Sequence, residues 1–334
     1  MFSSKTTYES TEKTILSEYE KIGFIGKGRS AHVYHVRRVI DENEYAMKIY
    51  LYCKPLFDLY SNANTCQNAD NKTNNEDICV RYSSRHYFDS PNVISHAVSE
   101  VSILRKLSNP YIEKFIDVFK KNGLPFGVTL ELVKGSSLSV IKIEGVPVSC
   151  IVFSISQLVC ALSYLHRKNI IHRDIKSDNI MIDTNGHLKL IDFGFAKVLS
   201  CCARTFTKCG SIKFMAPEIF SDKGYGKPVD MWAVGILVYE LIMDSIVKSD
   251  IINIHCPFKC LQVRYICKRP IKIVCPDYFG KSTNDLIHKL LCVDETKRIT
   301  CDEIQKHDWF VNIDWDKMNR KECISPWTQY LMYD

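Results

Sequence analysis

The chain has 334 residues, of which 46% are apolar and 25% charged, with a formal net charge of +6 at pH 7. That length and balance suit one large domain or two lobes with a sizeable core. The mild positive charge can help steer a phosphate-bearing ligand, but without the dense basic run of a nucleic-acid binder no nucleic-acid partner is expected.

Fifteen cysteines are scattered instead of framing a short chain, which excludes a disulfide scaffold and fits reduced thiols. The opening MFSSKTTYESTEKT is polar, with no signal-peptide core and no Gly at position 2 for myristoylation. The longest apolar run, MWAVGILVYELIM at 231–243, is too short to span a bilayer and reads as a buried helix. No membrane partner is expected, and the expected location is cytoplasmic and/or nuclear.

Residues 1–18 read as an N-terminal extension. Between 19 and 50, YEKIGFIG, AHVYHVRRV and EYAMKIY alternate as strands, separated by turns at GKGRS and DENE. The stretch 51–92 contains SNANTCQNADNKTNNED and reads as an Asn-rich surface insertion. VISHAVSEVSILRKL at 93–107 has helical spacing, two strands follow near 115–120 and 126–133, and a long helix is expected over 148–167. From 230 to about 310 the pattern is mostly helical, and 311–334 forms a short tail. The class is α+β: a small strand-rich lobe with one main helix, then a larger helical lobe.

Three constellations carry chemistry. Glycines in GKGRSAHV (26–33) let backbone N–H groups approach a phosphate, and the competing reading is a plain hairpin turn. Lys48, on an otherwise apolar strand, can grip phosphate oxygens if a carboxylate positions it, and Glu100 on the following helix is the candidate. HRDIKSDN (172–179), followed thirteen residues later by DFG (192–194), suits phosphoryl transfer. Asp174 can orient a hydroxyl and take its proton, Lys176 can neutralise the moving phosphate, and Asn179 with Asp192 offers oxygen ligands to Mg²⁺.

Taken with AMK at 46–48 and APE at 216–218, these motifs stand in the order of a eukaryotic protein kinase, which the chain resembles. RTFTKCGSIKFMAPEI (204–219), GYGKPVDMWAVGILVYEL (224–241) and WFVNIDWDKM (309–318) resemble the AGC group typified by the cAMP-dependent protein kinase catalytic subunit. Aurora-like and calmodulin-kinase-like enzymes share GKG, HRDIK and the CGS–APE segment, and NIDWDKM favours AGC. A pseudokinase scaffold is the reading from another class; Lys48, Asp174, Asn179 and Asp192, the positions such proteins lose, are all present.

The resemblance implies a two-lobed kinase domain over 19–310 that uses ATP and Mg²⁺ to phosphorylate serine or threonine in proteins. Lys176 marks the serine/threonine pattern and Phe195 leans toward serine. Ile25, Gly26, Lys27 and Gly28 would cover the phosphates, with Ala31 replacing the family's third glycine. Val33, Ala46 and Met181 would sandwich adenine, Leu130 would be the gatekeeper, and Glu131 to Val133 would form the hinge. Asp230 and the Glu218–Arg298 pair would be structural.

Thr207 aligns with the activation phosphothreonine, with His96, Arg173 and Lys197 as phosphate partners, Thr205 nearby and Arg204 three residues upstream. Asp178, Glu240 and Ser211 match substrate-contacting positions, the two acids holding an upstream arginine, while Ser137 replaces a second acidic contact. A regulatory subunit is implied as a possible partner by the same likeness. Cys256, Cys260, Cys267 and Cys275, near His255, are spaced by four, seven and eight residues and lack paired zinc knuckles, so free thiols are expected. Cys201, Cys202 and Cys209 lie in or beside the activation segment, where oxidation of an exposed thiol would inactivate the enzyme.

Overall fold

Alternating side chains on residues 19–50 build strands because each strand can bury one face. The computed structural model describes residues 18–28, 30–51, 91–141, 145–200, 203–246, 275 and 279–330. These divide into two compact units: residues up to Leu107 with Lys114–Leu132, and Ser108–Glu113 with residues from Val133 onward.

The first unit is an antiparallel sheet of β1 (Tyr19–Lys27), β2 (Ala31–Arg38), β3 (Glu44–Tyr50), β4 (Phe115–Lys121) and β5 (Leu124–Glu131), in the order β1-β2-β3-β5-β4. Tyr19, Tyr34, Val36, Met47, Ile49, Phe119 and Phe126 form a core on it. The β4–β5 hairpin closes through Asn122 and Gly123, both at positive φ (50° and 80°), the Asn-Gly combination such a turn favours. That turn fixes the register, so β5 starts two residues before the expected strand and ends at Glu131. Helix α1 (Pro91–Leu104) packs on β5, and it buries Ala97, Glu100, Val101 and Leu104 on one helical face.

The second unit is mainly helical. Its centre is α2 (Val148–Arg167), expected at those boundaries, packed against α3 (Pro228–Ile246). By length and composition α2 could cross a membrane, but it is buried along nearly its whole length as a core helix. Short strands surround it: β6 (Gly135–Ser137), β8 (Ile180–Asp183) and β9 (Leu188–Leu190) form one sheet, and β7 (Ile170–Ile171) pairs with β10 (Lys197–Val198). Helices α4 (Lys281–Leu290), α5 (Cys301–Ile304) and α6 (Trp315–Asn319) follow. The chain after 311 lies on this unit: Trp327 is fully buried, its Nε1 donating to Cys150 O (3.1 Å) and Ser154 Oγ (2.7 Å) on α2.

The strand-rich and helical halves agree with the expected α+β class. Residues 1–17, nearly all of the Asn-rich insertion (52–90), Cys201, Cys202, His255, Cys256, Cys260 and Cys267 lie outside the described residues. Among the described residues no cluster of His, Cys, Asp or Glu could hold a metal by itself.

Candidate active site

The charged segment after β7 is held from beneath by one carboxylate. Asp230, in the first turn of α3 and fully buried, accepts from His172 N (3.0 Å) and Arg173 N (2.9 Å) and pairs with His166 Nε2 (2.8 Å). Arg173 has φ +68°, a left-handed conformation that a non-glycine residue keeps only when its surroundings impose it. Burial alone would raise the Asp230 pKa, but His166 and the backbone donors outweigh it and the net shift is downward. Burial likewise opposes the charged form of His166, yet Asp230 and the Cys301 thiol (Sγ 3.6 Å from Nδ1) raise it to about 10. His172 is shifted down by its burial, and its neutral Nδ1 accepts from Asp174 N at 3.3 Å.

On that support Asp174 is surrounded by donors. Ser211 gives Oδ1 both its N–H and its hydroxyl, each at 2.9 Å. Asn179 Nδ2 reaches Oδ2 at 2.9 Å and the Asp174 carbonyl at 2.8 Å, and Lys176 Nζ stands 3.1 Å from Oδ2 and 3.0 Å from Ser211 Oγ. Gly210 permits this approach: at φ +101°, a Cβ there would lie 2.3 Å from Arg173 O.

Asn179 ends a short 3-10 turn (Ser177–Asn179) leading into β8, and Asp192 follows β9. Ile191 N donates to Asn179 O (2.9 Å), so the hairpin brings the two candidate metal ligands to one end. Asp192 is also left-handed (φ +61°); its N–H donates to Glu113 Oε1 at 2.8 Å, a buried partner that sequence reasoning missed.

In the strand-rich unit, buried Lys48 and Glu100 form an ion pair of 2.5 Å, and Tyr50 OH, another unexpected partner, donates to the second Glu100 oxygen at 3.1 Å. Lys48 lies between Val33 and Val128 in the sheet register. Gly26 and Lys27 end β1 opposite Val33 and His32, Ile25 is exposed, and Gly28 N donates to Ala31 O at 2.8 Å. Ala46 pairs in register with Leu130, and Glu131 closes β5 against Lys114. Val133 and Met181 belong to the other unit, Met181 on β8.

The segment from Phe195 to Tyr225 is tied down at several points. Thr207 is exposed, and its carbonyl accepts from the Tyr225 hydroxyl, which also receives Arg173 Nη1 at 3.3 Å and lies 3.8 Å from Cys209 Sγ. Burial pushes the Tyr225 pKa up to about 12. Lys197 Nζ donates to buried Thr205 Oγ1 (3.0 Å), and Arg173 Nε to Phe195 O (2.6 Å). Arg204 is engaged with Glu295 and Gly224 O. His96 sits half-buried on α1 in the other unit. Glu218 and Arg298 form a buried two-pronged pair at 2.5 and 2.9 Å.

Asp178 is exposed in the 177–179 turn, and Glu240 on α3 is ion-paired with Lys213. Burial raises the Glu240 pKa; Lys213 opposes that and nearby Asp244 and Asp178 reinforce it. Lys213 and Asp244 were not anticipated. Ser137 meets Ser139, their Oγ atoms 2.8 Å apart.

The two units and this arrangement of donors define a protein kinase, and the family model of the protein kinase domain matches residues 62–310. That span begins after β3, so the glycine loop and Lys48 rest on the sheet itself and on longer likenesses. The chain is 33% identical over 258 residues to the mouse cAMP-dependent protein kinase catalytic subunit PRKX, covering 74% of this chain and 70% of that one. It is 30% identical over 320 residues to the cAMP-dependent protein kinase catalytic subunit of Dictyostelium discoideum, covering 93% of this chain and 42% of that protein. To rat cGMP-dependent protein kinase 2 it is 32% identical over 268 residues, covering 76% of this chain and 34% of that one. The chain belongs to the AGC protein serine/threonine kinases and has their two-lobed α+β fold.

Proposed function

We propose that this kinase phosphorylates serine, and threonine less readily, in proteins carrying an arginine two residues before the acceptor. The observation that carries the chemistry is the Asp174 carboxylate, fixed by Asn179 and Ser211 beside the Lys176 ammonium. In this reading Asp174 receives the acceptor's proton and Lys176 neutralises charge on the phosphoryl oxygens. Mg-ATP, when bound, supplies the phosphoryl group and the metal charge that balances its oxygens.

The residues fit that group. With its NH₂ committed to Asp174, Asn179 offers a cation its amide oxygen, and Asp192 offers a carboxylate, a hard-oxygen set suited to Mg²⁺. Lys48, set by Glu100, and the Ile25–Gly28 loop are assigned to the phosphates. Val33, Ala46, Met181, Glu131 and Val133 are assigned to the adenine. Thr207 is the proposed phosphosite, with Arg173, Lys197 and His96 as its partners, and Asp178, Glu240 and Ser211 face the peptide. The catalytic unit would span 19–310, with 51–92 as an insertion and 311–334 as a tail. A regulatory subunit is proposed from the likeness to cAMP-dependent kinases, and a cytoplasmic or nuclear location from the scattered cysteines and the polar opening of the sequence.

Asp174→Asn tests the assignment. Mg-ATP binding, followed by titration with a fluorescent nucleotide, should persist while turnover falls by about 10²–10⁴-fold. Near-wild-type turnover would remove Asp174 from the role.

A further inference from the structure

The pair Lys213–Glu240 is unusual for a surface that is to receive a basic side chain, because the kinase already fills it with its own cation. Lys213 lies in the 3-10 turn Ile212–Phe214, two residues after Ser211, which touches Asp174. Asp178 lies four residues after Asp174, so short segments carry this charge cluster beside the acceptor site. The lysine side chain is 39% exposed and the glutamate 16%, so the cation is the half that can leave. Glu240 holds it directly, Asp178 and Asp244 add negative charge that acts on Glu240, and burial opposes the charge on Glu240 and Asp244. Three negative groups against one positive leave a formal charge of −2, which still favours a further cation.

We propose that Lys213 is a specificity-determining residue: an internal competitor that holds Glu240 until a substrate arginine displaces it, and so weakens this kinase's preference for that arginine. The proposal rests on the arginine-directed reading given above. An ammonium is a compact point charge, whereas a guanidinium presents a planar fork that can engage two carboxylates together. Arginine can therefore displace Lys213, and a substrate lysine, matching it charge for charge, gains less. The exchange lowers the advantage of arginine without abolishing it.

The test compares kcat/KM for two peptides that differ only in arginine or alanine two residues before the serine. They are measured with the wild type, Lys213→Met, Glu240→Gln and the double variant. Removing Lys213 should raise the arginine/alanine ratio about three- to tenfold, chiefly through a lower KM for the arginine peptide, and should do nothing in the Glu240→Gln background. If Glu240→Gln lowers the ratio but Lys213→Met leaves it unchanged, Lys213 is only a structural cover and the proposal falls alone. If neither Glu240→Gln nor Asp178→Asn changes the ratio, the arginine-directed reading falls and takes the proposal with it. Lys213→Gln, read with a melting curve, serves the same comparison if the Met variant folds poorly.

Discussion

Asp230 and Glu240 lie ten residues apart on α3, the first fully buried and the second partly so, yet their carboxylates are shifted in opposite directions. Asp230 sits in the helix's first turn and meets two backbone N–H groups and the His166 ring, all fixed by neighbouring structure. Glu240 meets one long, partly exposed lysine and two other carboxylates. A buried charge with several immobile donors is an anchor; one with a single mobile partner is open to exchange. The same helix thus holds the 172–173 backbone in shape at one end and carries an exchangeable ion pair further along.

The sharpest way to break this comparison is Asp230→Ala. It strands His166 and the N–H groups of His172 and Arg173, and should destabilise the protein by about 3–5 kcal/mol, read by thermal melting, with phosphotransfer lost alongside. A melting temperature close to wild type would show that Asp230 is no anchor.

Next in size is the pH dependence. His166 is raised from its ordinary 6.5 to about 10, so its stabilisation is complete below pH 6.5 and is lost as pH rises through about 10. The Asp230 contribution runs the other way, present above its ordinary 3.8 and lost as pH falls through its lowered value. Wild-type stability should decline between pH 6.5 and 10 by at most ~1.4 kcal/mol per unit from this histidine. A His166→Gln variant should lack that component of the slope; equal slopes in both would place the titration elsewhere.

The smallest stability effect belongs to Glu240→Gln. Burial already opposes its charge, so melting at pH 7 should change by under ~1 kcal/mol while arginine preference drops. A loss as large as that of Asp230→Ala would make Glu240 a second anchor.

What the sequence made legible follows the same division. HRDIKSDN and DFG stand out because phosphoryl transfer needs several polar residue types close together in the chain, and α2 stands out as a long, mostly apolar stretch with no acidic residue. The strands β6 to β10 run two to four residues and leave no periodicity to read. Glu113 serves Asp192 from 79 residues away, and Tyr50 serves Glu100 from 50, links that only tertiary folding creates. Lys213 was legible as a residue but not as a partner, since nothing local predicts that it would turn onto α3. Asp230 was recognised through family likeness, and its three donors explain the likeness physically.

The decisive measurement is transfer of labelled γ-phosphate by the purified chain onto a position-scanning library of serine, threonine and tyrosine peptides, with Asp174→Asn in parallel. Serine and threonine peptides should be labelled, most strongly with arginine two residues upstream, and the label should be almost lost in the variant. Mg-ATP binding without transfer by the wild type, even with Thr207 phosphorylated, would contradict the kinase assignment and leave a nucleotide-binding scaffold.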